Sequence, residues 1–130
     1  MEQQAEAPKS SRILVVDDEK LLRKLTSSIL SSQGYHVDTC SNGNEALQLY
    51  QVQRYDLVIL DMIMPELNGA ETFKTLMRKD PKARVIIISG YCDHEVSQGL
   101  FDLGLAAFLE KPVRRDSLIR NVAGILGSSR

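Results

Sequence analysis

The sequence predicts an α/β fold: a three-layer, doubly wound (βα)5 sandwich around a five-stranded parallel sheet in the order 2-1-3-4-5. Three observations carry this expectation. The runs Ile13-Leu14-Val15-Val16, Leu57-Val58-Ile59-Leu60 and Val85-Ile86-Ile87-Ile88 are apolar at every position, as befits strands covered by helices on both faces. Helical periods separate the strand-like runs, so that strand and helix alternate five times and parallel strands with right-handed crossovers follow. One strand-like segment, Tyr35 to Cys40, instead sets Tyr35, Val37 and Thr39 against His36, Asp38 and Cys40. That period of two marks an edge, which leaves the first strand inside the sheet.

Taken in order, Met1 to Ser11 is polar without apolar period and reads as a disordered tail or linker over residues 1–11, ahead of one domain over 12–127. Strand one runs from Arg12 to Val16 and ends at Asp17-Asp18-Glu19. Leu21, Leu25 and Ile29, with Leu22 alongside, predict an amphipathic first helix that Gly34 stops. After the edge strand, Ser41-Asn42-Gly43-Asn44 is a turn and cap. The second helix carries Ala46, Leu47, Leu49 and Tyr50 and ends near Arg54. Strand three runs into Asp61, and a loop with Pro65 and Gly69 leads to a third helix, marked by Phe73, Leu76 and Met77 and stopped by Asp80-Pro81. Strand four ends at Ser89-Gly90; Val96, Leu100 and Leu103 mark a fourth helix weakened by Gly99 and Gly104. Ala106 to Leu109 is strand five, ending at Glu110-Lys111-Pro112, and Leu118, Ile119, Val122, Ile125 and Leu126 form a last helix that stops at Gly127. The arrangement is flavodoxin-like.

Composition narrows the function. A net charge of -1 gives no basic excess, which speaks against direct nucleic-acid binding. No apolar run reaches the ~20 residues of a membrane span, and no signal-peptide core opens the chain, so a cytoplasmic protein without membrane contact is expected. Cys40 and Cys92 are too few for a disulfide scaffold or a zinc site and read as reduced thiols. His36 and His94 are single and unpaired, and Arg114, Arg115 and Arg120 read as a solvated face.

The chemistry gathers at the strand ends. In an open parallel sheet, ligands bind outside the carboxyl ends of the strands. Those ends carry Asp17-Asp18, Asp61, Ser89 and Lys111 on neighbouring strands, so one rim holds three carboxylates, a hydroxyl and an ammonium. Two carboxylates ~4 Å apart at an effective dielectric near 20 repel by about 4 kcal/mol. Such a cluster raises a pKa or binds a cation, and hard oxygen donors suit Mg²⁺. A lysine and a hydroxyl beside it suit a phosphoryl group. The residues therefore predict a Mg²⁺-dependent phosphoryl site in which one of the carboxylates could be the nucleophile.

Val15-Val16-Asp17-Asp18-Glu19, Asp61-Met62-Ile63-Met64-Pro65 with Gly69, Ile88-Ser89-Gly90 and Lys111-Pro112 together resemble the CheY-like receiver domain of two-component response regulators, over about residues 12 to 126. The resemblance implies a phosphoprotein of phosphorelay signal transduction rather than an enzyme, assisting only its own phosphorylation and dephosphorylation. Asp61 would accept a phosphoryl group from a phosphohistidine on a histidine kinase or histidine phosphotransfer protein. Asp17, Asp18, Asp61 and the backbone carbonyl of Ile63 would hold Mg²⁺, with Mn²⁺ as a substitute. Ser89 and Lys111 would each bind a phosphoryl oxygen, the Lys111-Pro112 peptide would be cis, and Ser89 with Phe108 would switch the surface of helix four, strand five and helix five. A phosphorylation-dependent homodimer is compatible with this family. Ile63 and Tyr91 offer no acid or amide to orient a water, so slow self-dephosphorylation is expected. With only three residues after Gly127, the sequence reads as a single-domain regulator or as a receiver from a larger protein, with a slight preference for a hybrid sensor histidine kinase.

The competing class is a Mg²⁺-dependent phosphohydrolase with an aspartyl nucleophile, but its usual lid or cap insertion has no counterpart in these short loops. A flavin-binding protein of similar fold needs a phosphate cradle after strand one, where Asp17-Asp18-Glu19 would repel it. A degenerate receiver used only for protein contacts fits poorly with a full set of rim groups.

Overall fold

A computed structural model describes residues 11–64, 67–91 and 93–127. The expected tail over 1–11, except Ser11, lies outside the described residues, as do Pro65 and Cys92. Strands and helices alternate: β1 (Arg12–Val16), α1 (Lys20–Ser32), β2 (His36–Cys40), α2 (Gly43–Val52), β3 (Leu57–Asp61), α3 (Gly69–Lys79), β4 (Val85–Ser89), α4 (His94–Asp102), β5 (Ala107–Glu110) and α5 (Arg115–Gly127). All strand pairs are parallel, in the order β2-β1-β3-β4-β5. The predicted fold class and strand order are thus observed.

Alternation along the central strands divides the core into two layers. Leu14, Val16, Val58, Leu60, Val85 and Ile87 face one way, against Ala46 and Tyr50 of α2, Phe73 and Leu76 of α3 and Leu100 of α4. Ile13, Val15, Leu57, Ile59, Ile86 and Ile88 face the other, against Leu30 of α1 and Leu118, Val122 and Leu126 of α5. Burying both faces is what allows these strands to be apolar throughout. β2 pairs only with β1 and shows the mixed exposure of an edge. Among the described residues, no helix is long and apolar enough to cross a membrane.

One sequence expectation needs correction. The face of α1 defined by Leu21 and Leu25 is not the buried one: Leu21 is 79% and Leu25 55% exposed. The inward stripe runs through Leu22, Thr26, Ile29 and Leu30 instead. Two overlapping leucine stripes satisfy the same helical period, and the roll of α1 about its axis is set by how it meets the sheet. The period of two in β2 is kept: Tyr35 and Val37 pack with the layer of Ile13 and Val15, and Cys40, beside Val16, with the layer beneath α2, while Thr39 stays exposed.

Helix ends were better marked. Gly34 takes φ 97° beyond α1, and Asn68 with Glu71 forms a reciprocal capping box at the start of α3. α4 is capped at both ends: Asp93 accepts from Glu95 N and Val96 N, and the Leu105 and Gly104 amides return to Leu100 O and Phe101 O. Only Ser97 and Leu100 of α4 are buried. The helix is well formed but lightly attached.

Candidate functional site

Each strand leading to the rim is apolar and pinned in register, so the first polar residue after it has a fixed position. Asp17 follows β1 and is buried, its N–H donating to Cys40 O at 3.2 Å. Its Oδ1 accepts from Glu19 N at 2.9 Å, which turns the side chain back over the loop. Asp18 is exposed beside it. Asp61 closes β3 opposite Ile88 of β4 and is 5% exposed. One carboxylate oxygen from each of Asp17, Asp18 and Asp61 lies within 4.8 Å of the others.

The two ends of the loop after Asp61 approach each other closely. Gly69 N donates to Met62 O at 2.8 Å, and a Cβ on Gly69 would stand 2.5 Å from the Asp61 carbonyl. A side chain at position 69 would therefore displace the backbone that carries Asp61.

Lys111 Nζ sits 3.0 Å from Asp61 Oδ1 and 3.9 Å from Glu19 Oε1. The Asp61 contact is an ion pair without hydrogen-bond alignment, since Oδ1 is buried and has no hydrogen-bond partner. The Lys111-Pro112 peptide is cis, and Lys111 N donates to Ser89 O at 2.7 Å. Ser89 is buried and its hydroxyl is occupied locally: it donates to Tyr91 O at 2.8 Å and accepts from Tyr91 N at 3.1 Å. Phe108 is half-buried against the layer that contains Leu100. Ile63 and Tyr91 are 72% and 74% exposed.

Electrostatically the rim is short of positive charge. Burial pushes the Asp61 carboxyl above its ordinary range, and the acids at 18 and 19 add to this against the pull of Lys111. Burial also raises Asp17, with Asp61 and Asp18 contributing, despite the Glu19 amide and Lys111. Burial works against the Lys111 ammonium, but Asp61, Asp17 and Glu19 outweigh it and hold the proton more firmly than usual. The donor set consists of hard oxygens from three clustered acids, which fits a small divalent cation. The Cys40 thiol, pushed up to about 12 chiefly by burial, takes no part as a thiolate.

Sequence reasoning missed Glu19 as a second partner of Lys111. Its signal was its place directly after the acid pair. It also missed a cavity of about 450 Å³ lined by Leu22, Leu25 and Ile29 of α1 and Val113 and Leu118, with Asp17 and Lys111 also on its wall. Nothing in a linear pattern marks that space.

A doubly wound sheet whose rim joins an acidic triad to a lysine and a serine defines a class of phosphoryl-handling signalling domains. The chain belongs to the response regulator receiver domain family, whose model matches residues 13–123. It is 31% identical over 109 residues to the chemotaxis protein CheY of Thermotoga maritima, covering 83% of this chain and 91% of that one. It is 33% identical over 109 residues to sporulation initiation phosphotransferase F of Bacillus subtilis, covering 84% and 88%. A chain of the CheX-CheY-BeF3-Mg+2 complex from Borrelia burgdorferi superposes with a TM-score of 0.82 at 30% identity, covering 86% of each. The protein is therefore a CheY-like receiver of two-component signalling, a module class that relays signals rather than turning over free substrates.

Proposed function

We propose that residues 12–127 form a Mg²⁺-dependent receiver in which Asp61 takes a phosphoryl group from the phosphohistidine of a histidine kinase or histidine phosphotransfer protein. The observation that carries this reading is the placement of Asp61, whose carboxylate lies within 4.8 Å of oxygens of Asp17 and Asp18 and 3.0 Å from Lys111. Asp17, Asp18 and Asp61, with the backbone carbonyl of Ile63, hold the cation. When bound, Mg²⁺ neutralises charge gathering on the phosphoryl oxygens.

A carboxylate oxygen of Asp61 forms the new O–P bond as the P–N bond to the donor imidazole breaks, and the electron pair returns to the ring nitrogen. Lys111, already 3.0 Å from Asp61, exchanges that carboxylate for a phosphoryl oxygen. Ser89 leaves its turn with Tyr91 to donate to another. The added charge, roughly one to two units, thereby draws two loops inward. Phe108 fills the space they vacate, by packing alone because it has no hydroxyl. The lightly attached α4, with β5 and α5, reports the change. A phosphorylation-dependent homodimer through this surface follows as a further expectation.

Incubation with acetyl phosphate and Mg²⁺ should label the wild type and leave Asp61→Asn unlabelled. Equal labelling of both removes Asp61 as the acceptor, and turnover of free phosphomonoesters favours a phosphohydrolase instead. Phosphoryl loss should be slow because neither Ile63 nor Tyr91 offers an acid or amide to orient a water. Ile63→Gln should accelerate it by less than the roughly 100-fold that a positioned general base supplies. A short-lived wild-type phosphoprotein contradicts this part of the reading.

A further inference from the structure

We propose that Arg23 is a positioning residue for the cation-holding loop, fixing through one hydrogen bond the peptide plane from which Asp17 and Asp18 project. Arg23 Nη1 donates to the Asp17 main-chain oxygen at 2.7 Å in a partly buried setting. The inference rests on the Mg²⁺ reading and adds a residue that contacts neither the cation donors' carboxylates nor the phosphoryl path.

The loop needs such a support. α1 begins at Lys20, and its N-cap, Glu19, makes no side-chain capping bond, so the helix end does not hold the loop by the usual means. Asp17 is instead fixed at three points: its N–H by Cys40 O, its carboxylate by the Glu19 amide and its carbonyl by Arg23. The carbonyl bond is the one that orients the Asp17-Asp18 peptide, and Asp18 is exposed and has the most freedom to turn away. Arg23 is itself well placed, because its backbone N–H donates to Glu19 O at 2.9 Å and locks it one turn above the acids. A guanidinium is permanently charged, so this support does not titrate away and adds positive charge beneath a loop of three successive acids. Partners that orient metal ligands typically contribute 10–100-fold to metal affinity.

The test is a titration of the full ¹⁵N-labelled chain with MgCl₂, followed by amide chemical shifts. Arg23→Ala should weaken Mg²⁺ binding by about tenfold, the lower end of that range. Arg23→Lys, which keeps the charge and one donor, should recover part of the loss. Tyr50→Phe serves as the stability control: it removes the bond to Asp80 and should lower Tm without moving the Mg²⁺ Kd. If Arg23→Ala binds like the wild type, or if Tyr50→Phe weakens binding equally, the proposal fails while the cation reading stands. If Arg23→Ala does not fold, Arg23→Gln and Arg23→Lys make the same comparison. A wild type without Mg²⁺-dependent shifts overturns both the cation reading and the role of Arg23.

Discussion

Asp61 and Asp80 are the same residue type in one small domain, and the fold treats them in opposite ways. Asp80, at the end of α3, accepts from Tyr50 Oη at 2.7 Å and from Lys82 N at 3.2 Å, and pairs with Arg54 at 3.1 Å. The Tyr50 bond leads a set of interactions that hold its carboxyl below the ordinary range. Asp61 is more deeply buried, and its one ion pair, with Lys111, does not offset the burial that pushes its carboxyl upward. Asp80 is a finished structural acid that ties α2 to α3. Asp61 is left undersupplied, as the proposed recruitment of a cation and then of new charge would require.

This contrast can be broken at either end. Asp80→Ala should show the largest effect. It strands the hydroxyl of Tyr50, which is 6% exposed, and should cost about 1–3 kcal/mol in urea denaturation. Asp61→Asn should act in the other direction and stabilise the metal-free protein by about 0.5–2 kcal/mol, because it relieves an acid held at a cost for function. That advantage should shrink when saturating Mg²⁺ stabilises the wild type more than the variant, which lacks one of the proposed ligands. A destabilised Asp61→Asn protein would mean that the Lys111 pair outweighs the burial cost.

The smallest effect lies in the acid limb of stability, where the two acids have opposite signs. The stabilisation by Asp80 is complete above its ordinary value of 3.8 and is lost as pH falls through its lowered folded value. Folded Asp61 and Asp17 hold protons more tightly than the unfolded chain does, so their ionisation costs stability as pH rises from 3.8 through their raised folded values. Asp80→Asn should therefore flatten the loss of stability at low pH, and Asp61→Asn should deepen it. The same raised values predict that Mg²⁺ binding releases protons and weakens as pH falls into that window, which titration calorimetry in two buffers measures.

Much of this was legible in the chain because parallel strands write plainly. An unbroken apolar run such as Leu57 to Leu60 has one structural meaning, and the acid that ends it falls on the rim. Hence Asp17, Asp61, Ser89 and Lys111 could be gathered before any coordinates. What was not legible depended on rotations and reaches that a linear pattern leaves open. The stripes through Leu21 and Leu22 are equally periodic, and only the docking of α1 chooses between them. Arg23 looks like any exposed helix charge until its guanidinium is seen on the Asp17 carbonyl. Ser89 was placed correctly, but its turn with Tyr91 is a local geometry that its residue type does not reveal.

The short bond from Lys111 N to Ser89 O has its own consequence. The two residues that would read the phosphoryl group are joined at the last rung of the β4–β5 ladder, so neither loop can travel far without carrying the other. A receiver wired in this way behaves as a logic gate with one input rather than as a dimmer with two. Removing the Ser89 hydroxyl and the Lys111 amine together should cost less than the sum of the single losses, by about 0.5–3 kcal/mol of coupling. A partial stimulus would then divide the population between two settings instead of holding every molecule halfway.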